Sequence, residues 1–273
     1  MRGERKGLCI YRYDKALGRL WGVSDIVSNN LPNVLLVHGQ PGSGVMWGEL
    51  PRLLSSRANI YSYDRPGWGA ASAIPQSLTG NVDYLSSVIR RFDNVPLLVG
   101  FSYGGAVVLE YASREFQTNP NYVANHIVAV APATNSQALG YLDRILEASI
   151  LDHTVTFFDK HFHLKVTSFF QKLTGGIRIS SLITECKWLR SDLGKLDLAC
   201  SPNDQIIILA GLLDRVVPPS SIRALSEKIP FAKVFWNPDV GHRYVSKAPG
   251  VIATAISEML NIYGKSAGNC NNS

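Results

Sequence analysis

"LLVGFSYGGAVVLEYA", residues 97–112, joins a strand-forming run to a helical pattern through one serine, Ser102, with glycines at 100, 104 and 105. A free serine alcohol is a weak nucleophile; it reacts when a base, an orienting acid and an oxyanion site are supplied. Gly100-Phe101-Ser102-Tyr103-Gly104 fits the G-x-S-x-G pattern, with a strand before it and a helix after it. The glycines have a steric reason. The serine sits on a sharp turn with an unfavourable backbone conformation, and side chains two positions to either side would clash with the neighbouring strand and helix. Such a turn lifts Oγ above the sheet edge. It also aims the first helical N–H groups, beginning with that of Tyr103, at the same space. The plainer alternative is a glycine-rich turn whose serine merely caps the helix.

A nucleophile at Ser102 needs partners elsewhere in the chain. "VLLVHGQPGSG" (34–44) ends a strand in a tight loop, and the backbone N–H of Gln40 is the candidate second oxyanion donor, held in place before substrate arrives. His38 precedes that loop and reads as a structural imidazole. Of the other five histidines, His126 opens a predicted strand, and His153, His161 and His163 lie in a helical region. The pair His161-x-His163 has no carboxylate or cysteine at fitting spacing, so no metal site is expected. His242, in "WNPDVGHRYVSKAPG" (236–250), follows the last strand and lies at the carboxyl ends of the strands; it is the candidate base. Asp214, in "IIILAGLLDRVVPP" (206–219), occupies the loop after the penultimate strand and is the candidate acid. Asp204 precedes that strand and belongs to the wrong end. Asp239 sits on a turn where a carboxylate caps or solvates, and the loop after "HIVAVA" offers Asn135 and no carboxylate.

The rest of the chain repeats the strand–helix alternation. Apolar runs at 8–13, 33–39, 59–64, 96–101, 126–131, 205–211 and 232–238 read as strands, several without the in/out alternation of a half-wet sheet. Helical patterns fall at 45–55, 78–91, 103–116, 220–229 and 249–262. The expected architecture is α/β, a mostly parallel sheet flanked by helices, with an antiparallel edge from the first segment pair. From 135 to 200 no clear strand occurs and the pattern is helical and aromatic, too long for a plain loop. The expected organisation is a core over 1–134, a helical cap over 135–200, the rest of the core over 201–264 and a flexible tail over 265–273.

Of the 273 residues, 46% are hydrophobic and 18% charged, enough for one large core and too apolar for a disordered chain. Four of the six net positive charges sit near the start, where Arg2, Arg5, Lys6, Arg12, Lys15 and Arg19 face Glu4 and Asp14. No basic cluster with interleaved aromatics accompanies them, so a solvated edge is expected and no nucleic-acid partner. No secretory h-region and no membrane-length apolar run is present, and the four scattered cysteines (9, 186, 200, 270) read as free thiols of a cytoplasmic protein. The sequence does not specify an oligomeric state.

The order Ser102, Asp214, His242 resembles that of the α/β-hydrolase superfamily, whose triad runs nucleophile, acid, histidine along the chain. "HGQPG" (38–42) resembles its oxyanion loop and "YDRPGWGAAS" (63–72) its turn after the next strand. "GLLDRVVPP" (211–219) and "GHRYV" (241–245) resemble its acid and histidine loops. The resemblance spans about residues 33 to 262. It implies an eight-stranded, mostly parallel sheet and a helical cap inserted after the sixth strand. The serine speaks against the haloalkane dehalogenase and epoxide hydrolase branches, which use aspartate there. "GFSYGG" lacks the G-x-S-W-G form of proline iminopeptidases.

The resulting expectation is a serine hydrolase of the carboxylesterase kind. It would cleave an ester or related acyl bond of a small to medium, apolar small-molecule substrate, without cofactor. The same triad serves C–C hydrolases and perhydrolases. An aminopeptidase would use cap carboxylates such as Asp143, Glu147 or Asp152, and a non-catalytic receptor could be built on the same fold. Asp64-Arg65 reads as a turn-stabilising pair, and Trp47 and Trp68 as packing residues. Phe157, Phe158, Phe162, Phe169 and Phe170 read mainly as the cap's own core.

Overall fold

The computed structural model describes residues 9–270 apart from 24, 27–29, 72, 136–180, 182–183, 186–187, 189–190 and 194–195. Eight strands form one sheet: β1 (Ile10–Asp14), β2 (Arg19–Val23), β3 (Asn33–Val37), β4 (Asn59–Tyr63), β5 (Leu97–Phe101), β6 (His126–Val130), β7 (Gln205–Gly211) and β8 (Lys233–Asn237). Their order across the sheet is β2-β1-β4-β3-β5-β6-β7-β8. From β4 to β8 every neighbouring pair is parallel, while β1 runs antiparallel to both β2 and β4. The expected eight-stranded, mostly parallel sheet with an antiparallel edge is therefore present.

The continuous apolar runs follow from burial on both faces. Along β3, Val34 and Leu36 enter one core and Leu35 and Val37 the other. β6 and β7 alternate in the same way: Ile127, Ala129, Ile206 and Ile208 point to one side, Val128, Val130, Ile207 and Leu209 to the opposite one. With period-two side chains and apolar layers above and below, every position must be apolar. Each fully buried aliphatic side chain contributes about 1.5–3 kcal/mol.

The helices that cover the sheet are α1 (Leu50–Leu54), α2 (Leu78–Ile89), α3 (Tyr103–Thr118), α4 (Pro219–Lys228), α5 (Tyr244–Lys247) and α6 (Pro249–Cys270). Helices α2, α3 and α4 bury their apolar sides in one core, and α1, α5 and α6 in the other. In α2 the stripe Leu78, Val82, Leu85, Val88, Ile89 is buried, and the Ser77 hydroxyl accepts from the Gly80 N–H at 3.3 Å to cap the first turn.

Two helix boundaries differ from the sequence expectation by more than two residues, and the short α5 is not among the expected helices. The helix read over 45–55 begins only at Leu50, because Gly48 takes a left-handed backbone (φ +53°) and Pro51 is tolerated only in a first turn. The last helix runs to Cys270, eight residues beyond the expected end: no proline stops it, and it continues through Gly264 and Gly268, both poor helix formers.

The helical insertion expected at 135–200 falls mostly at 136–180, outside the described residues, as do His153, His161, His163 and the phenylalanines and carboxylates assigned to it. Its carboxyl-terminal part is described at 181, 184–185, 188 and 191–193, all helical, and at 196–200, which form no helix. This part is tied to the core by polar contacts. Ser181 Oγ donates to the Gly67 carbonyl at 2.5 Å, and Asp192 Oδ2 accepts from the Leu78 N–H at 2.8 Å. A carboxylate at the first amide of α2 also suits the helix dipole. Among the described residues no helix is long and apolar enough to cross a membrane.

Candidate active site

Ser102 stands between β5 and α3 with φ +53° and ψ −119°, a backbone region that a residue with a Cβ avoids. The turn is held by main-chain bonds on both sides. The Ser102 N–H donates to Val130 O (2.9 Å), and its carbonyl accepts from Gly105 (2.9 Å), Ala106 (3.3 Å) and Ala133 (3.1 Å). The glycine requirement is visible in the spacing. A Cβ at Gly100 would lie 2.4 Å from Gly104 O, and one at Gly104 would lie 2.1 Å from Val37 O and 2.6 Å from His38 O. These obstacles are backbone atoms of β3, of the loop after it and of α3, and cannot swing aside. Gly104→Ala is accordingly expected to destabilise the fold by about 3 kcal/mol, read as a lower urea midpoint at unchanged slope. A loss below about 1 kcal/mol would mean that the turn relaxes more freely than its contacts imply.

His242 follows β8 and reaches back to the serine. Its Nε2 is 3.0 Å from Ser102 Oγ, and its Nδ1 is 2.9 Å from Asp214 Oδ2. A carboxylate only accepts, so Nδ1 carries the proton and Nε2 is left as the acceptor for the serine hydroxyl. The Asp214 carboxylate is oriented by its own loop: Oδ1 takes the N–H groups of Val216 and Val217, both at 2.8 Å, which leaves Oδ2 for the imidazole. The Asp214 side chain is 1% exposed and that of His242 19%. The Phe101 ring lies against the imidazole, centroids 5.1 Å apart. Asp239 is exposed on its turn. Asp204 sits at the opposite, amino end of β7, where it accepts from Tyr122 OH and from the N–H groups of Asn125 (2.6 Å) and Ser201 (3.0 Å). Asn135 joins the loop after β6 to Ser221 at the start of α4.

The 38–42 loop passes directly beside the serine: a Cβ on Gly39 would lie 2.9 Å from Ser102 Cβ. The Tyr103 amide is the first of α3. His38 is fully buried, and its partners fix its tautomer. Nε2 accepts from the Arg65 N–H (3.0 Å), so Nδ1 is the protonated nitrogen and donates to Gly39 O (2.8 Å). Burial, reinforced by the Arg65 charge, holds this imidazole well below its ordinary pKa, as expected of a structural histidine. The sign for stability follows. The folded state keeps His38 neutral, while the unfolded chain takes up a proton near pH 6.5. Stability is therefore full above that pH and falls below it, by up to about 1.4 kcal/mol per pH unit for this residue. Urea titrations at pH 7.5 and 5.5 should show that fall, and His38→Gln should flatten it. An equal slope in both proteins would assign it elsewhere.

Sequence reading missed the arrangement around Arg65. Asp64 and Arg65 do stabilise turns, though separate ones. Asp64 accepts from Tyr11 OH (2.6 Å) and the Gly44 (2.6 Å) and Ala70 (2.7 Å) amides. Arg65 is completely buried and forks onto Glu185, Nη1 to Oε1 at 2.5 Å and Nη2 to Oε2 at 3.2 Å. Its remaining donors go to His38 O (3.0 Å), Gly39 O (3.1 Å) and Asn81 Oδ1 (3.1 Å). Trp47 and Trp68 are fully buried, in keeping with packing. A groove of about 430 Å³ lined by Arg12, Lys15, Trp21 and Asn59 opens at the amino ends of β3 and β4, away from the serine.

A family model described as the alpha/beta hydrolase family matches residues 34–255. No curated protein matches the chain in sequence. Among solved structures, an esterase from Exiguobacterium antarcticum superposes with a TM-score of 0.65 at 19% identity, covering 92% of this chain and 98% of its own. A thermophilic esterase from Thermogutta terrifontis gives 0.63 at 18%, covering 93% and 98%. A carboxylesterase from the thaumarchaeon Nitrososphaera gargenis gives 0.66 at 15%, covering 97% and 99%. At these identities the likeness is one of fold.

Proposed function

The chain belongs to the alpha/beta hydrolase family, and from that membership we propose that it is a serine hydrolase acting on a carboxylic ester through an acyl-enzyme. The observation that carries this reading is the unbroken hydrogen-bonded line from Ser102 Oγ through His242 to Asp214. In the proposed reaction His242 Nε2 takes the hydroxyl proton as Oγ attacks the carbonyl carbon. The amides of Gln40 and Tyr103 receive the developing oxyanion. The imidazolium, held by Asp214, returns its proton to the leaving alcohol. A water deprotonated by the same imidazole then attacks the acyl carbon, and Oγ departs with the proton. The helical region at 135–200 is proposed to act as a cap that selects a small to medium, apolar acyl substrate. That the similar folds include three described as esterases or a carboxylesterase supports the choice of bond.

Two measurements test the reading. A fluorophosphonate probe should label the protein stoichiometrically at Ser102, located by peptide mapping. A panel of p-nitrophenyl esters of rising acyl length should be turned over, with aminoacyl anilides left intact. A folded protein that takes up no probe and cleaves no ester would reject the assignment.

A further inference from the structure

Arg65 touches both peptide segments assigned above to the oxyanion site. On one side its Nη2 donates to Gly39 O (3.1 Å), which also accepts from His38 Nδ1 (2.8 Å). The Gly39–Gln40 peptide is planar and trans, so fixing its carbonyl by two donors also fixes the direction of the Gln40 N–H on its opposite edge. On the other side the guanidinium lies 4.8 Å from the centroid of the Tyr103 ring. All five guanidinium N–H groups are committed: two to Glu185, one to Asn81 of α2, and two to the carbonyls of His38 and Gly39. A fork so fully engaged has one orientation, and Glu185 sets it through a bidentate, fully buried contact. Glu185 lies in the 181–193 segment, which Ser181 and Asp192 independently attach to Gly67 and Leu78.

We propose that Glu185 and Arg65 are positioning residues that hold the Gly39–Gln40 peptide in the orientation that donates to the oxyanion, so that the site is complete with Glu185 in place on Arg65. The inference rests on the serine-hydrolase reading. It assigns to Glu185, in the carboxyl-terminal part of the insertion, a part in stabilising the transition state, beyond covering the substrate. Neither side chain touches the reacting atoms. Their loss should therefore lower kcat and spare KM, since the oxyanion forms only after binding.

The test replaces the pair by apolar residues, Arg65→Met with Glu185→Leu, an exchange that buried ion pairs commonly tolerate in folding. Glu185→Gln, which keeps the shape but puts a donating NH₂ group where one carboxylate oxygen accepted from Arg65, and so breaks one arm of the fork, is the second variant. The readouts are kcat and KM on a p-nitrophenyl ester, and the affinities of two inhibitors. One is an alkyl trifluoromethyl ketone. Ser102 Oγ would add to its carbonyl carbon, the hydroxyl proton passing to His242 and the carbonyl oxygen becoming an alkoxide. The other is the matching secondary alcohol, which forms no oxyanion.

For the folded double variant, kcat is expected to drop roughly 100-fold with KM within about twofold, and ketone affinity to drop in parallel while alcohol affinity holds. Glu185→Gln should show the same pattern at roughly tenfold, and decides the matter if the double variant does not fold. Folded variants with kcat within about threefold of the parent, or with ketone and alcohol affinities falling together, would overturn the proposal while leaving the labelled serine intact. A parent protein that neither hydrolyses esters nor takes up a fluorophosphonate would remove the reading beneath it instead.

Discussion

Ser102→Ala should reduce ester turnover by roughly a millionfold and abolish fluorophosphonate labelling, with the fold unchanged. The size follows from what the hydroxyl does in the proposed mechanism. It is the atom that bonds to the acyl carbon, so its loss removes the covalent route altogether. Only direct attack by water would remain, helped by whatever the oxyanion amides and binding contribute. The fold should persist because alanine keeps the Cβ and asks nothing new of the backbone at φ +53°. Circular dichroism and urea midpoints matching the parent, beside the lost activity, would separate chemistry from stability. Turnover within about tenfold of the parent would show that another group performs the attack.

Asp214→Asn should lower kcat/KM by about 10⁴-fold, through a tautomer change that the local geometry forces. Oδ1 accepts the Val216 and Val217 amides, so the carbonyl oxygen of an asparagine would be kept at that position. Its NH₂ group would then face His242 Nδ1. Two donors cannot oppose each other, so the imidazole must move its proton to Nε2, the nitrogen required to accept from Ser102. The substrate site itself is unaltered, so KM should shift little beside kcat. A variant that keeps more than about a tenth of parental kcat/KM would show that Asp214 does not set the tautomer.

What could be read from the sequence, and what could not, divides on a physical line. Strands β3, β5, β6 and β7 could be read because cover on both faces demands runs of apolar residues. The serine turn could be read because Gly100 and Gly104 answer to backbone atoms within 2.4 Å and 2.1 Å, a constraint that composition must obey. Asp214 was separated from Asp204 because strand polarity alone says which end of β7 each occupies. The Arg65–Glu185 pair carried no such mark. Its partners are 120 residues apart, and neither a period nor a spacing joins them. An arginine next to an aspartate looks like a local pair, and only the fold reveals that each side chain turns to a different loop. The start of α1 was misplaced for a smaller reason: apolar residues around Val45 suggested a helical stripe, and the left-handed Gly48 breaks it.

The bonds that hold the turn at residue 102 belong to its amide and carbonyl, while its side chain is engaged with His242. The bend is thus indifferent to which functional group it carries. A single codon change there could exchange one reactive atom for another while the architecture stays intact, so a scaffold of this kind is free to diversify its chemistry without first relearning how to fold.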